Sequence, residues 1–254
     1  MRQFFWALSM IAVAGCANGP VATRMANDSR DPRLRELTPD LFQNAVLISV
    51  DIQNGQPGPP LTADTMDPLW ASYGFTPEDV NAASDYFFGT ALPNAAKIAR
   101  LFRERNIPVI LIHWGARFQD GMDLDPEVRS MLLEKHGTNF ERWGHRERDA
   151  GSQVHPDLDP QPSDYILPKT AQDAFISSNI GFMLKNIGAK NLFLMGGHAG
   201  ACLGKTSKSA KEAGYTTICI EDATNDATES RRIPNINEVG YDIICRTEDI
   251  LRMP

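Results

Sequence analysis

One cysteine in this sequence sits where a cysteine can do chemistry. Cys202 follows the run Gly196-Gly197-His198-Ala199-Gly200-Ala201, between a stretch that reads as a strand and one that reads as a helix. Such a turn puts the sulfur in the first turn of the helix, where unpaired backbone N–H groups and the helix dipole favour thiolate over thiol. The same N–H groups can hold an oxyanion, which acyl chemistry at a cysteine requires. Two more residues with useful chemistry follow apolar runs: Asp51 after Ala45 to Val50, and Lys169 after Tyr165 to Leu167. Each has an ordinary account when taken alone: a carboxylate closing a turn, a solvated lysine, a core cysteine. They gain weight together, because open α/β sheets bind ligands outside the carboxyl ends of their strands and all three residues fall there.

The elements that must position them form an alternating pattern. Short apolar runs at Ala45–Val50, Val109–Ile112, Tyr165–Leu167, Asn191–Met195, Thr216–Ile220 and Tyr241–Cys245 read as six strands. Between them lie stretches with helical apolar spacing. Ala91 to Arg105 carries Leu92, Ala95, Ile98, Ala99 and Phe102; another carries Ile180, Met183, Leu184 and Ile187, with Gly188 as its cap. Ala201 to Ala213 is stopped by Gly214, and further helices are expected over Pro77–Phe88 and Pro126–Lys135. Strand and helix in alternation predict an α/β fold, three layers deep, with a six-stranded and mainly parallel sheet between helices. Two long connections interrupt it. The stretch from Asn54 to about Gly89 carries Trp70, Tyr73 and Phe75, and that from Gly115 to Asp164 carries Trp143 and His145. Insertions of this size are commonly lids or partner surfaces, so Trp70, Tyr73, Phe75 and Trp114 are candidates for an apolar pocket wall and equally for interface anchors.

The bulk composition excludes some functions. The chain has 254 residues, 42% of them hydrophobic, and a formal net charge of −7, which argues against a nucleic-acid surface. Arg2 followed by the apolar stretch Phe4–Ala14 is laid out as a secretory signal, too short to span a bilayer. Val13-Ala14-Gly15-Cys16 resembles the lipobox of bacterial lipoproteins, although Ala12-Val13-Ala14 also fits a plain cut after Ala14. We therefore expect a signal over 1–15, lipidation of Cys16, a polar tether over 16–40 and a catalytic domain over 41–254. The protein is expected to be exported and periplasmic, touching membrane only through the lipid on Cys16. Cys219 and Cys245 lie in apolar runs and read as core residues.

With these pieces in place, the sequence resembles the isochorismatase-like cysteine hydrolases, the superfamily of nicotinamidases, N-carbamoylsarcosine amidase and ureidoacrylate amidohydrolases. The matching segments are Ser49-Val50-Asp51-Ile52-Gln53-Asn54, Leu167-Pro168-Lys169-Thr170 with Phe175 beyond it, Met195-Gly196 through Cys202-Leu203, and Glu221-Asp222-Ala223-Thr224. The resemblance implies an isochorismatase-like hydrolase fold, a catalytic triad of Asp51, Lys169 and Cys202, and an oxyanion hole made by the N–H groups of His198 and Cys202. It also implies a cis peptide joining Gly197 to His198. The implied reaction is hydrolysis of a C–N bond in a small amide, carbamoyl or ureido substrate through a thioester, by a homo-oligomer without a cofactor. Gln53, Asn54, His113, Trp114 and Phe175 are the residues expected to line the substrate. Two positions depart from the pattern: Ala199 replaces the usual Thr three residues before the cysteine, and His198 replaces a small apolar residue. The Asp-x-His set that holds metal in nicotinamidases is also absent around His113, so no metal is expected.

Other readings remain open on sequence alone. Ala199 to Thr206 comes within one residue of a P-loop, with Ala199 where the first glycine belongs, which would make the protein a nucleotide binder. An isochorismatase-type vinyl-ether hydrolase shares the fold but lacks the cysteine. A binding protein with a silent site, or a papain-like pairing of Cys202 with His113, His145 or His198, would use the same residues differently.

Overall fold

A computed structural model of the chain describes residues 36–55, 60–62, 64, 74–143 and 146–254. The expected signal, Cys16 and most of the tether, together with Trp70, Tyr73 and His145, lie outside the described residues. The strands are β1 (Ala45–Val50), β2 (Val109–Trp114), β3 (Tyr165–Lys169), β4 (Asn191–Gly196), β5 (Thr216–Thr224) and β6 (Ile243–Cys245). The α-helices of five residues or more are α1 (Pro77–Tyr86), α2 (Leu92–Glu104), α3 (Pro126–His136), α4 (Ile180–Ile187), α5 (Cys202–Glu212), α6 (Glu229–Val239) and α7 (Thr247–Leu251).

The strands form one sheet in the order β3-β2-β1-β4-β5-β6, and every pairing is parallel rather than mainly so. From β1 the chain winds outward through β2 to β3, then returns to β4 and winds the other way. The reversal falls between β1 and β4, where the connections leave on opposite sides and open a crevice above the strand ends.

Strand alternation divides the apolar side chains between two cores. Ala45 and Leu47 of β1 face one layer, where α2 contributes Leu92, Ala95, Ile98, Ala99 and Phe102 and α7 contributes Ile250. Val46, Ile48 and Val50 face the other, against Ile180 and Leu184 of α4, Leu203 and Ala210 of α5, and Ile236 and Val239 of α6. A strand buried on both faces reads as a continuous apolar run, which is how β1 announces itself. Local signals set the helix ends. Thr76 and Asp79 form a reciprocal capping box ahead of Pro77, and Gly188 ends α4 with φ 75°.

Several expected boundaries shift. β3 continues two residues to Lys169, so the lysine closes the strand instead of following it. β5 reaches Thr224, with a register shift against β4 between Leu194 and Gly196, whereas Tyr241 lies outside β6. Two of these helices were not anticipated. α6 contains Pro234 and a polar start that argue against a helix locally, yet it forms because Arg232, Ile236 and Val239 are buried. α7 is only five residues long.

Cys219 and Cys245 are free, buried thiols, one in each core. Burial pushes Cys219 from its ordinary 9.0 up to about 12, and pushes Cys245 and Tyr241 well above their ordinary values. Unfolding releases these groups to ionise near their ordinary values, so from about pH 9 upward the unfolded state holds fewer protons than the folded one. Stability should therefore be unaffected below pH 9 and be lost between pH 9 and 12, by up to about 1.4 kcal/mol per pH unit for each thiol. Urea midpoints across pH 8 to 11 check this, and Cys219→Ala should flatten the slope.

Candidate active site

The three residues singled out in the sequence meet at the reversal of the sheet. Asp51 is the first residue beyond β1 and adopts a left-handed backbone, φ 53°, which aspartate tolerates better than most side chains. Lys169 is the last residue of β3, in register with Trp114 at the end of β2. Cys202 opens α5, just after the turn that follows β4. Lys169 Nζ lies 2.9 Å from Asp51 Oδ2, and the two side chains are 0% and 7% exposed. The fully buried Cys202 thiol comes close enough to both for their charges and hydrogen-bonding groups to act on its titration. Lys169 Nζ also donates to the Ala171 carbonyl at 3.1 Å and sits 4.5 Å from the centre of the Trp114 ring. A carboxylate, a carbonyl and an aromatic face thus surround an ammonium with no water access, and such company is what a buried charge needs.

These contacts determine which group carries which charge. Burial works to lower the Lys169 pKa, but the Asp51 charge and the Cys202 sulfur outweigh it and hold it above the usual lysine value. Burial pushes the Cys202 thiol up to about 12; Lys169 opposes this, and the Asp51 charge adds to it. The resting sulfur is therefore a neutral thiol. This corrects the expectation that the helix N-terminus would keep it as thiolate: with the thiol fully buried beside a carboxylate, desolvation outweighs the dipole. His198 is driven below its usual value by burial, against the pull of the Asp226 and Asp51 charges, so its ring is neutral at neutral pH.

The turn before Cys202 is shaped by its glycines. Gly196 adopts φ 107°, and a Cβ there would lie 2.1 Å from the Val50 carbonyl oxygen, so only glycine lets β4 leave the sheet so close to β1. The peptide joining Gly197 to His198 is cis. The Ala199 N–H is bound to the Asn225 carbonyl and that of Gly200 to the Asp226 carboxylate, whereas the Ala201 and Leu203 N–H groups both reach His198 O. The N–H of Cys202 belongs to the first helical turn, whose donors the helix itself does not satisfy.

The remaining candidate residues fall into different roles. Trp114 is buried over the Lys169 ammonium, next to the triad. His113 is buried, with Nδ1 2.9 Å from the Ser152 carbonyl. Gln53, expected to meet substrate, is instead a brace: both amide hydrogens are committed, to Trp114 O and Ser152 O, and its oxygen accepts the Trp114 N–H. Asn54 is exposed, and its amide donates at 3.4 Å to the Ala150 carbonyl. Phe175 is partly buried against the core beside α4, with its ring 6.4 Å from that of Tyr215, because the one-turn helix Ala174–Ser177 lies against the helical layer. Phe75 belongs to a small separate cluster with Val80, Ala83 and Ala227, under Arg231. The P-loop reading fails on Thr206, which is fully buried and spends its hydroxyl on the Ala174 N–H. Among the described residues no group of three or more His, Cys, Asp or Glu is placed to hold a metal. The sequence reading missed Ala171, whose carbonyl holds Lys169, and the Asn225-Asp226 pair beside the nucleophile turn. A main-chain acceptor leaves no mark in side-chain identity.

Removing one half of the ion pair leaves the other buried and uncompensated. Lys169→Met should cost about 3–5 kcal/mol in urea unfolding, and adding Asp51→Asn should restore part of that.

Comparison with known proteins agrees with this geometry. The isochorismatase domain family matches residues 45–240. A ureidoacrylate amidohydrolase of Agrobacterium fabrum is 31% identical over 100 residues, and the match spans only 39% of each protein. The fold superposes on a cysteine hydrolase from Pseudomonas syringae pv. phaseolicola with TM-score 0.65 at 17% identity, over 89% of this chain and 98% of that one. It also superposes on N-carbamoylsarcosine amidase from Thermoplasma acidophilum with TM-score 0.55 at 22% identity, over 80% and 96%. With the domain match running from the first strand to the end of α6 and the fold shared throughout, the chain belongs to the isochorismatase family of hydrolases.

Proposed function

We propose that this chain is a cysteine-dependent amidohydrolase that cleaves the C–N bond of a small amide, carbamoyl or ureido substrate. The observation that carries the reading is the burial of the Cys202 thiol beside a carboxylate and an ammonium that are themselves paired at 2.9 Å. The ureidoacrylate amidohydrolase relative supports a ureido substrate among the three classes.

As the sulfur attacks the substrate carbonyl carbon, Asp51 takes the thiol proton. The negative charge moves to the carbonyl oxygen, where the N–H groups of His198 and Cys202 receive it. Each such donor contributes about 3–4 kcal/mol to the transition state in enzymes where one has been removed. Lys169 keeps its proton throughout and offsets the charge that alternates between Asp51 and sulfur. Asp51 then gives the proton to the leaving nitrogen as the C–N bond breaks, which leaves an acyl or carbamoyl group on sulfur. Water, deprotonated by Asp51, releases that group and restores the thiol.

Export is part of the proposal. The leader-like residues 1–15 and Cys16 would place the reaction in the periplasm, tethered by lipid.

Two outcomes are expected. The purified chain should release ammonia or an amine from at least one of ureidoacrylate, N-carbamoylsarcosine and simple primary amides. Cys202→Ala should lower that rate by at least about 10⁴-fold without loss of the folded state; full activity in the variant would reduce the thiol to a core residue. In cells, Cys16→Ser should move the protein from the membrane fraction to the soluble one, whereas an unchanged distribution would favour the cut after Ala14.

A further inference from the structure

The helix that presents Cys202 lacks the residue that usually finishes such an end. Ala201 holds the N-cap position, with φ −130° and ψ −106°, and no side chain there accepts from the first-turn N–H groups. A Ser, Thr, Asp or Asn would occupy one of those donors. Alanine leaves them for a ligand, so the turn must be held from outside.

Asp226, in the loop after β5, supplies that hold. Its side chain is buried, at 3% exposure. Its Oδ2 accepts the Gly200 N–H at 3.0 Å and the Asn235 Nδ2 at 2.7 Å, and its Oδ1 accepts the Ala227 N–H at 2.6 Å. Asn235, on α6, lies so close to Gly200 that a Cβ there would fall 2.4 Å from its Nδ2. The preceding residue binds the other half of the turn: Asn225 O accepts from Ala199 N at 2.9 Å, and Asn225 N donates to Gly196 O at 3.0 Å. Residues 196 to 200 are thus tied to residues 225 and 226 at three points.

We propose that Asp226 is a positioning residue for the oxyanion turn. Acting through Gly200 and Asn235, it fixes the backbone whose His198 and Cys202 N–H groups receive the charged oxygen, and it does not touch the substrate. The proposal deepens the reading of Cys202 as nucleophile and rests on it. A carboxylate suits the task because three donors converge on one side chain, and only an ionised acid accepts on both oxygens with charge-assisted strength. Asparagine at this position keeps one accepting oxygen, for Gly200, but sets its own N–H group against another donor. Alanine keeps neither contact.

A small aldehyde tests this without knowledge of the natural substrate. With propionaldehyde labelled with carbon-13 at the carbonyl, the Cys202 sulfur adds to the carbonyl carbon, the thiol proton passes to Asp51, and the former carbonyl oxygen carries the charge into the oxyanion hole. NMR of the labelled carbon gives the affinity of this adduct. We expect Asp226→Ala to bind at least about tenfold more weakly than the wild-type protein, a loss typical of a misplaced reactive site. Asp226→Asn should recover most of the difference, and thermal unfolding should show both variants folded. Should Asp226→Ala not fold, Asn235→Ala, which removes one contact to the carboxylate, is expected to weaken the adduct in the same direction. An unchanged affinity in the Asp226→Ala or Asn235→Ala protein, with the wild-type adduct intact, overturns the positioning role alone. No adduct in the wild-type protein, or one that persists in Cys202→Ala, overturns the nucleophile reading and this proposal with it.

Discussion

A lysine with no solvent exposure can remain charged only if the fold brings its partners to it, and much of this architecture follows from that demand. Lys169 closes an outer strand, whereas Asp51 follows a central one, with β2 between them. Their contact requires the parallel strands to end level with one another and the connections above them to leave room. Such a pair contributes little net stability, since desolvating two charges cancels most of their attraction. What it provides is register. A slip of β3 by one residue would turn the lysine to the opposite face and strand the carboxylate.

The same pair sets the state of the sulfur. Burial raises the thiol most, Lys169 opposes this and Asp51 adds to it, so the balance favours the protonated sulfur. The helix dipole that usually activates such a cysteine is outweighed, because α5 begins beneath the sheet ends among buried groups instead of at the surface. Trp114 adds a further layer to this arrangement: its ring faces the ammonium while its backbone is held by Gln53. The residue expected to touch substrate is one step back, bracing the wall.

The fold, and the meeting of Asp51, Lys169 and Cys202 at the strand ends, were legible in the sequence because both are written in short local patterns. Apolar runs ending in Asp51 and Lys169, and a glycine-rich approach to Cys202, mark strand ends whatever the tertiary detail. The cis peptide at Gly197 came from family resemblance, not from spacing. What stayed hidden depends on contacts across the chain. α6 is helical despite Pro234 because its buried face has partners in β5 and α5, which no window of sequence contains. Phe175 and Gln53 have plausible chemistry and sit close to the triad in sequence, but one turns into the helical layer and the other into a brace. Asp226 is one of many acidic residues in the sequence. Only the path of the turn beside it shows that its carboxylate is spoken for.

A thiol that burial pushes far above its ordinary range leaves very little anion at neutral pH. Peroxides and disulfides react with the anion and so find little to attack, whereas in the proposed mechanism a bound carbonyl meets sulfur and base together and draws the proton off as the new bond forms. Under the proposed mechanism, reactivity is summoned by the right guest and not kept standing.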